Sequence, residues 1–367
     1  MLARSLAVLL LGGALLRPCS TDQSIWSPSS KDVDPLYPFL KGDKFGFIDH
    51  HGRIVIEPKL PLSGEFHNGL LEIGASNGEY VNTSGEIVIP HKFYRGWKFS
   101  EGLAVAASKD GGPWGYINTK GEFAISPRFK WARNNYVWPF SDGMAAIQVD
   151  GLFGYIDKTG EFVIKPRFPH GGAFYEGMAQ VVVEGPCIYM SDGPCGSAQQ
   201  VPEGTGSRSS GSCKYTFVNR DGNVLAQRFD WTRDFSEGVA PVKVATMWGY
   251  IDKSGEFVVQ PKFDEAKPFS EGMASVRQNG KWGFIDRTGL SVIQPRFTWT
   301  SKFSEGLAVV RTDTGSYVFI DNTGTRAIKQ EFDFAGDFYH GLANVVLDAG
   351  RWAYVNRTGK HVFTYTR

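Results

Sequence analysis

The sequence predicts an all-β chain built from tandem repeats, and three observations carry that prediction. An aromatic-Gly-aromatic-Ile-Asp/Asn segment ending in a turn glycine recurs along the chain, with the glycines at Gly52, Gly85, Gly121, Gly160, Gly222, Gly255, Gly289, Gly324 and Gly359. Their separations are 33, 36, 39, 62, 33, 34, 35 and 35 residues, a period near 35 with one insertion. A second segment, Phe-x-x-Gly followed by Leu, Met or Val, alternates with the first, at Phe66, Phe99, Phe140, Phe174, Phe235, Phe269, Phe303 and Phe338. Glycine is also abundant at 44 residues, and aromatics make up 14% of the chain, a composition of short strands and tight turns. This repetition overrides the two or three domains that 367 residues would otherwise suggest, because each unit of an array packs mainly on its neighbours.

The stretch from Trp248 to Met273 justifies each element. Tyr250-Ile251-Asp252 runs into an Asp-x-x-Gly turn, and Phe257-Val258-Val259 leaves it, rich in β-branched and aromatic residues. Asp252 can accept from the turn's amides while Gly255 takes the left-handed conformation. Asp or Asn holds that first position in all nine copies, from Asp49 to Asn356. Pro261 is expected to stop the strand, as are Pro58, Pro127, Pro166 and Pro295 in their copies. A crossover of about ten residues then ends in Phe269-Ser270-Glu271-Gly272. A further strand, Met273 to Arg277, meets the next copy through Asn279-Gly280, a strong short hairpin signal. Each unit therefore reads as a three-stranded antiparallel meander. Pro35 to Leu40 opens the first and Trp352 to Phe363 closes the ninth. Closed propellers usually have about four to eight blades of four strands. The count thus favours an open superhelical stack, with a closed β-propeller as the alternative.

Around the array, residues 1–20 read as a signal peptide or N-terminal anchor. Arg4 precedes an apolar run from Leu6 to Leu16, too short to span a bilayer and closed by Arg17-Pro18. A lipid anchor on Cys19 is disfavoured, since Leu16-Arg17-Pro18 lacks the small residues a lipobox places before its cysteine. Residues 21–34 form a polar linker and 35–365 the array, interrupted at 184–214 by a Gly/Ser-rich excursion with three of the four cysteines. A Cys187–Cys213 bridge would staple its base and leave Cys195 odd; Cys187–Cys195 stays open. Either suits an exported protein, whether periplasmic, envelope-bound or extracellular. A net charge of +1 without a basic run excludes a nucleic-acid footprint, and the only membrane contact expected is that N-terminal anchor.

The motifs W-G-Y-I-D-K-S-G-E-F-V at Trp248, W-G-F-I-D-R-T-G at Trp282 and W-G-Y-I-N-T-K-G-E-F at Trp114, each followed by the Phe-x-x-Gly half, resemble the WG-containing repeats of bacterial proteins. The resemblance covers about residues 37–365 and implies an all-β repeat scaffold, often exported, without a catalytic residue. Four copies depart from it, at Gly78-Glu79, Tyr215-Thr216, Tyr317-Val318 and Trp352-Ala353, which puts close packing at the missing glycine in doubt.

The residues assign no catalytic, cofactor-binding or metal role. Seven histidines lie scattered without ligand spacing, and no nucleophile elbow, P-loop or dinucleotide fingerprint occurs. Glu101, Asp142, Glu176, Glu237, Glu271 and Glu305 share one repeat position and could line up for calcium. The favoured reading is that each shapes a turn and meets backbone amides or a Lys/Arg of the next unit, since Asn68 and His340 hold the same position. Of the aromatics, Trp114, Trp248, Trp282, Trp352, Phe45 and Phe153 are expected between units. Trp131, Trp231, Trp299 and Phe334, each two residues after a phenylalanine, are either half-buried edge or the candidate binding face. The expected protein is thus an exported, non-enzymatic scaffold that binds a protein or another macromolecule over an extended face. A cell-envelope glycan-binding module is the alternative, and an enzyme with its site near 184–214 the least favoured.

Overall fold

The computed structural model describes residues 34–74, 78–130, 137–185, 213–348 and 350–366, and none of these is helical. Trp131 and Cys187 lie outside the described residues. Among the described residues nine antiparallel sheets follow one another, four with four strands and five with three. The seventh shows the full plan: a short first strand Glu265–Ala266, then Ala274–Gln278, Lys281–Ile285 and Ser291–Phe297. The last three are the meander read from the sequence. The first is an addition, cut from the crossover.

At each Asp-x-x-Gly turn the side chain satisfies two amides, as where Asp252 Oδ1 accepts from Ser254 at 2.9 Å and Glu256 at 3.1 Å. Asn219 and Asn356 make the same pair of bonds in their copies. The nine turn glycines all have φ between 74° and 91°, where a Cβ would be strained.

Side chains alternate along each strand, so a sheet covered on both faces serves two cores. In Leu103–Ala107, Ala104 and Ala106 pack toward the preceding unit while Leu103, Val105 and Ala107 pack toward the following one. Nine clusters of buried residues result, and each lies at the junction of two successive sheets. Trp114, Trp248, Trp282 and Phe153 are buried in such junctions, as expected, whereas Trp352 and Phe45 are only half-buried.

The ninth cluster corrects the expectation of an open stack. It joins Tyr37, Phe39 and Ile48 of the first sheet to Leu342 and Tyr354 of the last. The Tyr354 hydroxyl donates to the Pro38 carbonyl at 2.7 Å, just as Tyr250 donates to Lys267 and Tyr116 to Trp138 of their following units. The array is a closed ring, the propeller-like alternative. An open stack would leave two aromatic faces in water, at about 1.5–3 kcal/mol for each large side chain left uncovered. The terminal faces match each other, and that outweighs the blade count.

The prolines require a second correction. Pro58, Pro127, Pro166, Pro261 and Pro295 do not end their strands but lie within the seven-residue last strands of their sheets, such as Phe257–Phe263. Between the pairs Tyr250↔Val259 and Trp248↔Phe263 the fourth strand carries extra residues, a bulge where a residue without an N–H is tolerated. This bulge presses on the repeat glycine. A Cβ on Gly249 would lie 2.5 Å from the Val259 oxygen and 2.7 Å from the Pro261 nitrogen, and Gly115, Gly154 and Gly283 are equally crowded. Glycine and proline therefore occur together in five copies. In the ninth, Ala353 replaces the glycine, Tyr365 stands where the proline would be, and Trp352↔Tyr365 through Tyr354↔Phe363 pair without a bulge.

Candidate functional site

The ring has two unlike ends. At one, each Phe-x-x-Gly segment closes a two-residue hairpin, as where Ser270 and Met273 exchange backbone bonds of 2.9 and 3.2 Å around Glu271-Gly272. Both central residues are left-handed, at 54° and 78°, which explains a glycine in second place and a polar residue in first. The acid then reaches the next unit. Glu176 accepts from the amides of Glu237 and Gly238 at 2.6 and 2.7 Å, and Glu271 from those of Glu305 and Gly306 at 2.7 and 2.8 Å. Glu101, Asp142, Glu237 and Glu305 each hold the amide of the following turn glycine. A cation from the next unit's Asp-x-x-Gly turn often adds to the pair, with Lys158 3.1 Å from Glu101, Arg220 3.2 Å from Asp142 and Lys253 3.4 Å from Glu176. This row is a structural ladder. Its carboxylates are committed to amides and cations, and no group of three or more His, Cys, Asp or Glu among the described residues could hold a metal ion.

The opposite end gathers the starts of the first and third strands and the hairpins before the third. Trp299 and Phe334 are exposed there, at 39% and 43%, and Trp231 is half-buried against Tyr215 at 5.0 Å. Rings continue across the last two units: Trp299 to Tyr317 at 5.9 Å, Tyr317 to Phe334 at 5.6 Å, Phe334 to Trp352 at 6.2 Å and Trp352 stacked on Tyr365 at 6.3 Å. Cations intercalate. Lys267 Nζ lies 4.7 Å from the Trp282 ring and 5.1 Å from Trp299, and Arg311 5.7 Å from Tyr317. Aromatic faces beside ammonium and guanidinium groups can stack on apolar or sugar rings while donating hydrogen bonds.

The position that holds Trp231 and Trp299 holds Glu265 in the seventh unit. Its carboxylate is buried at 8% exposure and paired with Arg233 at 3.1 Å and Arg277 at 3.7 Å. Sequence reasoning passed over this group because it followed the aromatic copies. The signal was a lone acid at a position that Trp131, Trp231, Trp299 and Phe334 fill with rings in other copies. In the fifth copy the place belongs to His170, packed 5.4 Å from Phe153, and burial pushes its imidazole down to about 4. Burial also pushes the Glu72 carboxyl up to about 8, at a strand end facing Tyr80.

The excursion leaves from this same aromatic end, between the paired residues Glu184 and Lys214. Cys213 at its exit is disulfide-bonded, and its partner lies outside the described residues.

Fold and junctions thus define a closed ring of WG-type β units. The WG-containing repeat profile matches residues 45–73, 80–111, 114–153, 153–185, 215–245, 248–282, 282–313 and 319–352, and the chain belongs to that family. No curated protein matches the sequence. Among solved structures, BamB from Moraxella catarrhalis is similar at 11% identity and a TM-score of 0.39, over 82% of this chain and 86% of that one. Kluyveromyces lactis Hsv2p aligns at 9% identity and 0.39 over 74% and 96%, and the C-terminal WD40 domain of Sif2 at 10% and 0.38 over 70% and 78%. Likeness at this level says nothing about what the chain binds.

Proposed function

We propose that the ring is an exported, non-enzymatic scaffold that captures a macromolecule, in the first instance a protein, at its aromatic end. The observation that carries this reading is the run Trp299–Tyr317–Phe334–Trp352–Tyr365, which crosses the last two units with two of its rings exposed. Exposed aromatics beside cations are the usual anchors of binding surfaces, and successive units spread affinity over many modest contacts. Export is inferred from the apolar run after Arg4 and fits a disulfide at Cys213. An envelope polysaccharide is the second reading, favoured by the near-parallel Trp352 and Tyr365 rings, 24° apart.

The test substitutes Trp299→Ala and Phe334→Ala together in the full chain. Both side chains are half in water, so the thermal midpoint should hold within a few degrees while partners recovered from envelope extract are lost. Recovery of the same partners by the folded double variant would overturn the protein reading. Retardation in gels cast with defined polysaccharides, absent in the variant, would instead support the glycan reading.

A further inference from the structure

At the aromatic end, the pairing register sets one residue of each second strand directly opposite the ring that opens the third strand. In six units that residue carries no positive charge: Leu40, Glu72, Ala107, Gln148, Val182 and Val346. In the sixth, seventh and eighth units, which are consecutive, it is Lys243 opposite Trp248, Arg277 opposite Trp282 and Arg311 opposite Tyr317. The repeat does not require a cation at this place. Three in succession belong to this face of the ring and not to the fold.

Two further cations join the three rows across their junctions. Arg233 lies 5.1 Å from the Trp248 ring and donates to Glu265 of the seventh unit at 3.1 Å. Lys267 lies 4.7 Å from Trp282 and 5.1 Å from Trp299, and donates to the Thr300 carbonyl of the eighth unit at 2.6 Å. The first-strand residues of the rows, opposite Lys243, Arg277 and Arg311, are Trp231, Glu265 and Trp299. Within this stripe five cations stand beside one acid, Glu265, which Arg233 and Arg277 share at 3.1 and 3.7 Å. The acids around it are turned to the chain. Asp230 accepts from the Ala245 amide at 2.7 Å and pairs with Lys214, Asp264 accepts from the Gly280 amide at 3.3 Å, and Asp313 pairs with Lys281. A guanidinium laid against an aromatic face is held in one orientation and still carries further N–H donors. Arg311 is exposed, and Lys243 and Arg277 are half-buried.

Spacing narrows the ligand. Stacked sheets lie about 10 Å apart, so like positions of successive units repeat at roughly that distance. A polyproline II segment advances about 3.1 Å per residue with about three residues per turn, which puts every third side chain on one face roughly 9 Å apart. A β-strand instead turns every third side chain to the opposite face. Aromatic-lined grooves are the usual docking place of polyproline II segments.

We propose that this stripe receives an acidic polyproline II segment of a partner protein, with a carboxylate at every third residue. The carboxylates meet Lys243, Arg277 and Arg311, and the prolines between them pack on Trp231 and Trp299. This names the partner chemistry of the aromatic end and rests on the protein reading above.

The experiment measures fluorescence anisotropy of labelled Glu-Pro-Pro repeats about four turns long against the full chain. The controls are a peptide of the same composition with its glutamates in one block, and Lys-Pro-Pro repeats. The Glu-Pro-Pro repeats should bind more tightly than the block peptide, and the lysine repeats should not bind. Replacing Lys243→Gln and Arg311→Gln together leaves Glu265 and its two arginines in place, so the thermal midpoint should hold. Affinity should fall about tenfold, the effect of two surface charge contacts. Equal affinity for repeat and block peptides, or no loss in the folded double variant, would overturn the proposal. Retention of a uronate polysaccharide with no peptide bound would overturn it as well. Should envelope partners still be lost from the Trp299→Ala Phe334→Ala variant while no peptide binds, the protein reading stands and this proposal alone fails.

Discussion

Replacing Gly249 with alanine should destabilise the protein although the residue is no catalytic group and its backbone is not left-handed. The new methyl carbon would lie 2.5 Å from the Val259 oxygen, 2.7 Å from the Pro261 nitrogen and 2.9 Å from the Gln260 carbonyl carbon. Ordinary contact begins near 3.5 Å, so the bulged strand must retreat by about 1 Å. All three atoms are backbone, so no rotamer change can relieve the clash. Overpacking of this kind costs about 1–3 kcal/mol, while alanine stabilises by about 0.4–1 kcal/mol through the unfolded chain. The clash wins, leaving a net loss of roughly 1–2 kcal/mol. Urea unfolding should show a lower midpoint with an unchanged slope. Pro261→Tyr supplies the control, because the ninth copy has Ala353 and Tyr365 at these two positions and pairs there without a bulge. In that background the bulge can straighten, and Gly249→Ala should cost less by about 1 kcal/mol, a coupling within reach of a double-mutant cycle. A Gly249→Ala midpoint equal to wild type, or two effects that simply add, would refute the glycine–bulge account.

Three further outcomes follow from the same structure. Glu271→Ala removes the acceptor for the Glu305 and Gly306 amides and should cost about 1–2 kcal/mol after allowance for its exposure, measured by urea unfolding. Glu72 is raised by burial from its ordinary 4.5 to about 8, so its protonated form favours the fold. That contribution is complete below about pH 4.5 and is lost as pH rises through 8, so Glu72→Gln should be more stable relative to wild type at pH 8 than at pH 4.5. His67 and His170 are lowered by burial from 6.5 to about 4, so the stability they contribute is complete above 6.5 and is lost as pH falls toward 4. Thermal midpoints of His170→Gln should fall less than wild type across that acid range.

Much of the unit was legible because its signals repeat. Asp or Asn at nine turns, Asn-Gly at a hairpin and apolar runs on both faces each point to one local structure, and the copies check one another. The candidate aromatic face was legible in the same way, as rings two residues after a phenylalanine. What escaped is what does not repeat. Tyr37 with Tyr339 and Tyr354 with Pro38 lie some three hundred residues apart, and nothing periodic marks them as partners. Glu265 was overlooked as a break in an aromatic row, and its two arginines come from different units. Proline was read by its local rule as a strand end. The bulge that accommodates it depends on a glycine in the neighbouring strand, and the pairing becomes visible only once Gly249 and Pro261 are seen in contact.

The central claim is closure, and a distance across the seam tests it most directly. Nitroxide labels placed bioorthogonally at positions 51 and 360, which line one pocket where the first and last units meet, can be measured by double electron–electron resonance in the full chain. A ring predicts one narrow distribution within roughly 20–25 Å, about two sheet spacings with the label tethers. Nine sheets stacked without closure at about 10 Å each would instead place the labels near 80 Å, and a distribution centred there would contradict the account.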